Sequence, residues 1–243
     1  MAETRFHPMP SGQRIAFRHV TGSGPAVVFL PGYKSDMAGS KATALLAWAE
    51  ALGRECLLLD YSGCGESDGD FAEGTLGRWA DEVLALTGSH VAGEVVLVGS
   101  SMGGWLMLLV GRALGPRLAG LVGVAAAPDF TEWGYTAAQR KRLAAGETVL
   151  EDDPYGPEPT PTHPDFWADG QERRVLGDGI ALDCPVRLLH GQDDVDVPPE
   201  ISLRLARALR SQDLQVTLIK GGDHRLSRES DIALLLRTVA ALA

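Results

Sequence analysis

Six short apolar runs, most of them closed by glycine, recur along this 243-residue chain with helix-like stretches between them. They are AVVFLPG (26–32), ECLLLDYSG (55–63), EVVLVG (94–99), LAGLVGVAAA (118–127), PVRLLHG (185–191) and QVTLIKG (215–221). A strand that is apolar at nearly every position has no wet face, so it must be covered on both sides. The pattern therefore predicts an α/β fold, a mostly parallel central sheet with helices on both faces. SKATALLAWAEALG (40–53) reads as one such helix, capped by Ser40 and stopped by Gly53. Further helices are expected over about 75–88, 101–114, 199–210 and 228–242, and a hairpin around PSGQ over residues 3–20. In a sheet of this kind, chemistry belongs on loops at the C-terminal ends of the strands.

Residues 128 to about 180 break the rhythm, with six prolines and no clear strand. Thr136 and Gln139 form a T-x-x-Q capping box for one helix that Gly146 can end, and a second helix is expected from about Pro164 to Leu176. The organisation that results is one α/β domain over residues 1–243 carrying an inserted helical cap at about 128–180. The insertion holds Phe130, Trp133, Tyr135, Tyr155, Phe166 and Trp167, six of the chain's fifteen aromatic residues. Any single ring is enough to fasten a cap to the body. Together they suggest an apolar ceiling over a site, with Trp133 and Trp167 as candidate substrate-binding residues.

VVLVGSSMGGW (95–105) places two serines in a very short turn between a buried strand and a buried helix. Only Ser101 fits Gly-x-Ser-x-Gly, because Gly99 and Gly103 each lie two residues away from it, whereas Ser100 has Val98 and Met102 there. A nucleophile on so tight a turn needs neighbours without Cβ. The base must come from six histidines. His7 and His19 sit in the N-terminal hairpin, His90 precedes the nucleophile strand at its N-terminal end, the wrong edge of the sheet, His163 sits among prolines, and His190 suits a structural hydrogen bond. His224, in the glycine-rich loop KGGDHRLS after the last strand, lies on the same side as Ser101. The acid is sought in LLHGQDDVDVPP, where the frame H-G-x-x-D-x-x-V-P selects Asp194 over Asp193 and Asp196. Three carboxylates cannot all press against one imidazole without mutual repulsion, so the other two read as solvated turn residues. The oxyanion donors are expected to be the backbone N–H of Met102, at the positive end of its helix, and of Tyr33, which follows Gly32 after the strand AVVFLP.

The blocks FLPGYKSDMAGSKA, LDYSGCGESDG, LVGSSMGGWLML, CPVRLLHGQDDVDVP and GGDHR resemble serine hydrolases of the α/β-hydrolase superfamily over nearly the whole chain. Within it, they are most similar to the palmitoyl-protein thioesterase and acyl-glucuronide esterase branch. The resemblance implies the same Ser101–Asp194–His224 triad with Tyr33 and Met102 as oxyanion donors, cleaving carboxylic esters or thioesters through an acyl-enzyme. It implies a small-molecule or acylated substrate, and no metal or organic cofactor is expected, since no histidine-carboxylate spacing suggests one. A cofactor-free haloperoxidase, a C–C bond hydrolase and a non-catalytic binder of apolar ligands remain as alternatives on the same fold.

The net charge of −10 argues against nucleic acid or an anionic membrane surface as partner. The three cysteines, an odd number without zinc spacing, read as reduced thiols. The start MAETRFHPMPSGQRIAF has no apolar core of a targeting peptide, and no run approaches a membrane span, so a cytoplasmic protein is expected.

Overall fold

Each of the six apolar runs contains a strand in the computed structural model, which describes residues 2–152, 156–177 and 179–243. The chain opens with the expected hairpin, β1 (Arg5–Pro8) and β2 (Arg14–Val20), and continues through β3 (Ser23–Leu30), α1 (Ser40–Leu52), β4 (Arg54–Leu59) and α2 (Leu76–His90). The middle is β5 (Val95–Ser100), α3 (Met102–Leu114) and β6 (Leu118–Val124). A connecting segment then carries α4 (Phe130–Trp133), α5 (Ala137–Ala144), β7 (Val149–Glu151), β8 (Thr160–Thr162) and α6 (Pro164–Glu172). The chain closes with β9 (Val186–Gly191), α7 (Glu200–Ala208), β10 (Leu214–Ile219) and α8 (Glu229–Ala240).

Eight strands form one sheet in the order β1-β2-β4-β3-β5-β6-β9-β10. The six from β4 to β10 run parallel, and β1 and β2 add an antiparallel edge. Side chains on a strand alternate between faces, and the core divides accordingly. Val28 and Leu30 of β3 face α2 and α3 with Trp79 and Trp105, whereas Val27 and Phe29 face α1 and α8 with Leu45 and Val239. From β3 the chain steps outward to β4 and then crosses back past β3 to β5. The direction of winding therefore reverses between β3 and β5, and that reversal opens a crevice beyond their C-terminal ends.

Three local expectations change. Ser40 is the first residue of α1, not its cap; Gly39 occupies the cap position with extended backbone, while Gly53 ends the helix at φ 62° as expected. The segment between β6 and β9 holds a small antiparallel sheet, β7 with β8, where no strand was expected. A three-residue strand containing proline carries almost no sequence signal. Finally, α6 stops at Glu172 and does not reach Leu176, because Asp129 accepts the N–H groups of Val175 (2.8 Å) and Leu176 (2.9 Å) and turns the chain away. That buried carboxylate, on a residue at φ 58°, holds the two ends of the segment together. The capping box of Thr136 and Gln139 forms as read.

Candidate active site

Strand β5 is buried throughout and delivers Ser100 as its last residue, paired with Val124 of β6. Ser101 is the next residue and lies in neither element, at φ 53° and ψ −118°. A side-chain-bearing residue in this region costs on the order of 1–3 kcal/mol and persists only where its surroundings fix it. Here the Ser101 N–H donates to Val124 O (2.9 Å), and its carbonyl accepts from Gly104 N (2.8 Å) and Ala127 N (3.0 Å). The turn is possible because α3 lies directly on β3 and β5. A Cβ at Gly103 would fall inside contact distance of the Leu30 carbonyl oxygen, and one at Gly99 would meet the Gly103 carbonyl. Both neighbours are backbone and cannot swing away. Gly103→Ala should therefore cost about 3 kcal/mol or more and lower the melting temperature by roughly 6–12 °C. Gly88→Ala, at an exposed position of α2 with nothing within 4 Å of the new Cβ, should instead raise stability by up to about 1 kcal/mol. Thermal melts of the two variants check both signs.

The other two candidate residues come from neighbouring loops. Asp194 follows β9 and His224 follows β10, and the loops are stitched together where Asp193 N–H donates to Gly222 O (2.9 Å). His224 Nδ1 donates to Asp194 Oδ2 at 2.9 Å, and the Ser101 hydroxyl donates to His224 Nε2 at 3.1 Å. Of the acids in this loop, Asp194 meets the His224 ring. Its Oδ1 accepts the N–H groups of Asp196 (3.0 Å) and Val197 (2.9 Å), and its side chain is fully buried. Burial alone would push this carboxyl up, but hydrogen bonds from His190 and His224 outweigh it and hold the group well below the usual carboxylate range.

His190 makes the structural contacts expected of it. Its Nε2 must carry a proton, since Val197 O at 2.9 Å only accepts; the same nitrogen lies 3.2 Å from Asp194 Oδ2, and the Ser202 hydroxyl meets Nδ1 at 2.7 Å. His90 bonds His7 and stacks on Phe17, and His19 pairs with Glu55, all far along the chain from this cluster. His163 meets Thr148 at 3.2 Å. Asp194, Asp196 and His224 bring ligand atoms within 4.8 Å of one another, the one such grouping of metal-binding types among the described residues. The Asp194 oxygens are already spent on His190, His224 and two backbone N–H groups. Burial pushes the Cys56 and Cys64 thiols up to about 12, which disfavours either as a thiolate nucleophile.

Gly32 lies against Ser101, with room for a Cβ only 3.4 Å from the Ser101 Cβ. The next residue, Tyr33, lines the same cavity as the serine, and Met102 follows Ser101 as the first residue of α3. Among the described residues, no hydrogen-bond partner takes the backbone N–H of either.

The alpha/beta hydrolase family model matches residues 27–237 of this chain, spanning every strand of the parallel part of the sheet and all three of these side chains. The chain belongs to the alpha/beta hydrolase family. A mouse relative named "Palmitoyl-protein thioesterase ABHD10, mitochondrial" is 38% identical over 230 residues, 93% of this chain and 77% of that protein. The structure of alpha/beta hydrolase domain-containing protein 10 from mouse superposes with a TM-score of 0.91 at 35% identity, covering 99% of this chain and 98% of that one. A putative hydrolase from Agrobacterium vitis S4 does so with a TM-score of 0.92 at 35% identity, covering 100% and 99%.

In this member of the alpha/beta hydrolase family a cavity of about 650 Å³ opens over Ser101 and His224, a volume suited to a small molecule or an acyl chain. One wall is apolar and comes partly from the segment between β6 and β9: Ala127, Phe130, Trp133, Tyr135 and Val197. Polar lining comes from Lys34, Ser40, Lys41 and Arg225 among others. Trp133 is therefore placed on the cavity, its ring nitrogen anchored on Pro128 O (2.9 Å). Trp167 is a correction. It does not line the cavity; its indole N–H donates to Thr131 O (3.0 Å) and its ring packs on Tyr135, Leu143 and Val149. Phe166 is likewise buried among rings, and Tyr155 lies outside the described residues.

Two supporting residues carry no motif of their own. The buried Asp60 accepts the N–H groups of Met37 (2.6 Å) and Glu66 (2.9 Å), tying the loop after β3 to the loop after β4. Lys41 donates to the carbonyl of Arg225, next to His224, at 2.5 Å, and burial lowers its ammonium to about 8. The block LDYSGCGESDG contained Asp60, but its partner lies 23 residues away, which no local frame reveals. Within the described residues no helix is long and apolar enough to cross a membrane.

Proposed function

We propose that this chain is a serine hydrolase that cleaves carboxylic esters or thioesters through a covalent acyl-enzyme. The observation that carries the reading is the unbroken hydrogen-bond chain from Ser101 through His224 to Asp194 at the mouth of the cavity. Ser101 Oγ attacks the acyl carbon while His224 Nε2 takes its proton. Asp194 keeps the Nδ1–H tautomer and stabilises the imidazolium. The N–H groups of Tyr33 and Met102 receive the charge that develops on the acyl oxygen. His224 then protonates the leaving alcohol or thiol, and a water activated by the same imidazole releases the acid. The steps are complete with these groups and water.

A thioester with an acyl chain is the favoured substrate class, because relatives more than 30% identical are named palmitoyl-protein thioesterases. In this reading the segment of about 128–180 is a cap, and Phe130, Trp133 and Tyr135 receive the chain. Fluorophosphonate labelling of Ser101, followed by a comparison of acyl-thioesters with matching p-nitrophenyl esters of increasing length, tests it. A protein that is not labelled and turns over neither series is a binder and not a hydrolase.

The cap gives a specific expectation. Each buried methylene adds up to ~0.8 kcal/mol, close to fourfold in kcat/KM per carbon until the pocket is full. Trp133→Ala should flatten that slope for long chains and leave acetyl turnover within a few-fold. Trp167→Ala should lower the melting temperature and leave the slope intact. A chain-length profile with paired melts distinguishes the two, and an unchanged slope in Trp133→Ala removes that ring from the acyl site.

The compartment is proposed to be the cytoplasm, on the free thiols of Cys56, Cys64 and Cys184. The named relatives are mitochondrial, so fractionation against matrix and cytosolic markers separates the two.

A further inference from the structure

We propose that the hairpin β7–β8 holds the Tyr33 oxyanion donor in place, through the hydroxyl of Tyr33 and the ammonium of Lys34, so that both are positioning side chains for the reaction. The proposal rests on the reading of Tyr33 N–H as an oxyanion donor.

The loop that leaves β3 is fixed at its two ends from inside the protein. Tyr61 OH donates to Pro31 O at 3.1 Å, and Asp60 accepts Met37 N–H at 2.6 Å. Between those anchors the loop has one internal bond, Ser35 N–H to Gly32 O at 3.1 Å. Its middle is held from outside. Tyr33 OH donates to Pro161 O at 3.0 Å and Lys34 Nζ donates to Pro159 O at 3.2 Å, so two consecutive side chains reach the same short stretch, 128 and 125 residues away in sequence. Lys34 also sits at φ 55°, in the left-handed region that a residue with a Cβ enters only at a cost. The Tyr33 N–H lies on the peptide from Gly32, and the residue that follows is a strained one whose side chain is tied to the hairpin. The Tyr33 ring packs on Phe166 (4.6 Å between centroids) and on Phe71 (5.0 Å), contacts a phenylalanine would keep.

A donor displaced by a fraction of an ångström loses most of its value where charge develops, and little in ground-state binding. Loosening the middle of the loop should therefore appear in kcat and not in KM. Tyr33→Phe removes the hydroxyl and keeps the ring; Lys34→Met removes the ammonium and keeps the stem. Each should lower kcat about 5- to 20-fold, with KM within twofold and the melting temperature within about 2 °C. The loss should be equal for acetyl and long-chain esters, because the acyl oxygen and not the chain is affected, and the rate of fluorophosphonate labelling should fall in step. Unchanged kcat in both variants overturns the proposal. So does a loss that grows with chain length, which makes the hairpin a wall of the acyl site, or a fall in melting temperature at constant kcat, which makes the tethers structural only. Failure of the underlying reading looks different: the wild-type protein would then neither label at Ser101 nor turn over any ester or thioester.

Discussion

Ser101→Ala is expected to lower kcat by roughly 10⁴ to 10⁶, whereas Ser100→Ala should stay within about tenfold of wild type. The two serines are neighbours, and the difference lies in where the elements end. Ser100 is a ladder residue of β5, only 8% exposed, with backbone paired to β6. Ser101 stands outside both β5 and α3, and its hydroxyl meets His224 at 3.1 Å. An alanine at 101 keeps the backbone bonds to Val124, Gly104 and Ala127, so the variant should fold with an unchanged melting temperature. What it loses is the hydroxyl proposed to form the acyl-enzyme. The residual rate should then reflect the cavity and the two proposed N–H donors, which would lower the barrier for water attack without a nucleophile. Active-site titration with a fluorophosphonate, run beside steady-state turnover, checks both variants. A dead Ser100→Ala with an active Ser101→Ala would move the nucleophile by one residue and with it the strand boundary.

The parts of this site that could be read in advance are those whose geometry is local. Gly99, Ser101 and Gly103 describe a strand packed against a helix at one turn, and the motif that marks it fits in five consecutive residues, although the carbonyl that excludes a Cβ at Gly103 belongs to Leu30. The frame from His190 to Pro198 is similar, because Asp194 must receive the N–H groups of Asp196 and Val197, two and three residues on. His224 was reachable by position alone, as the histidine after the last strand of a parallel sheet. Long-range partnerships were not legible. Asp60 reaches Met37, Lys41 reaches the carbonyl beside His224, and Tyr33 reaches Pro161, each across a separation that no periodicity encodes. The small sheet β7–β8 was hidden for another reason: three-residue strands gain their stability from what they pack on, so their sequence carries little pattern. Trp167 shows the same limit from the other side. Composition said that the segment was rich in rings, but only its contacts with Thr131 and Leu143 say which rings fasten it and which face the cavity.

Asp194→Asn should lower kcat by about 10⁴, while Asn at 193 or 196 should cost less than about tenfold. The reason is a conflict of donors. Asp194 Oδ1 already accepts two backbone N–H groups, so the oxygen of an asparagine must stay there and its NH2 must replace Oδ2. That NH2 then faces two ring nitrogens. His190 Nε2 carries a proton committed to Val197 O and cannot accept, which leaves His224 Nδ1 as the only acceptor in reach. To accept, His224 must shift its proton to Nε2, and Nε2–H can no longer take the proton of Ser101. His190 therefore closes the escape in which the amide would turn toward the other ring. Acid stability should change with the same substitution. The Asp194 carboxyl lies below the ordinary carboxylate range in the folded protein, so it contributes stability above the unfolded pKa of about 4, and this is lost as pH falls toward the lower folded value. Asparagine does not titrate, so the variant should be less stable at neutral pH and lose less of what it has on acidification. Turnover at neutral pH and melts over an acid series measure the two effects on one set of samples. A larger loss of kcat at 193 or 196 than at 194 reassigns the acid, and an acid profile identical to wild type removes the carboxylate from the stability of the fold.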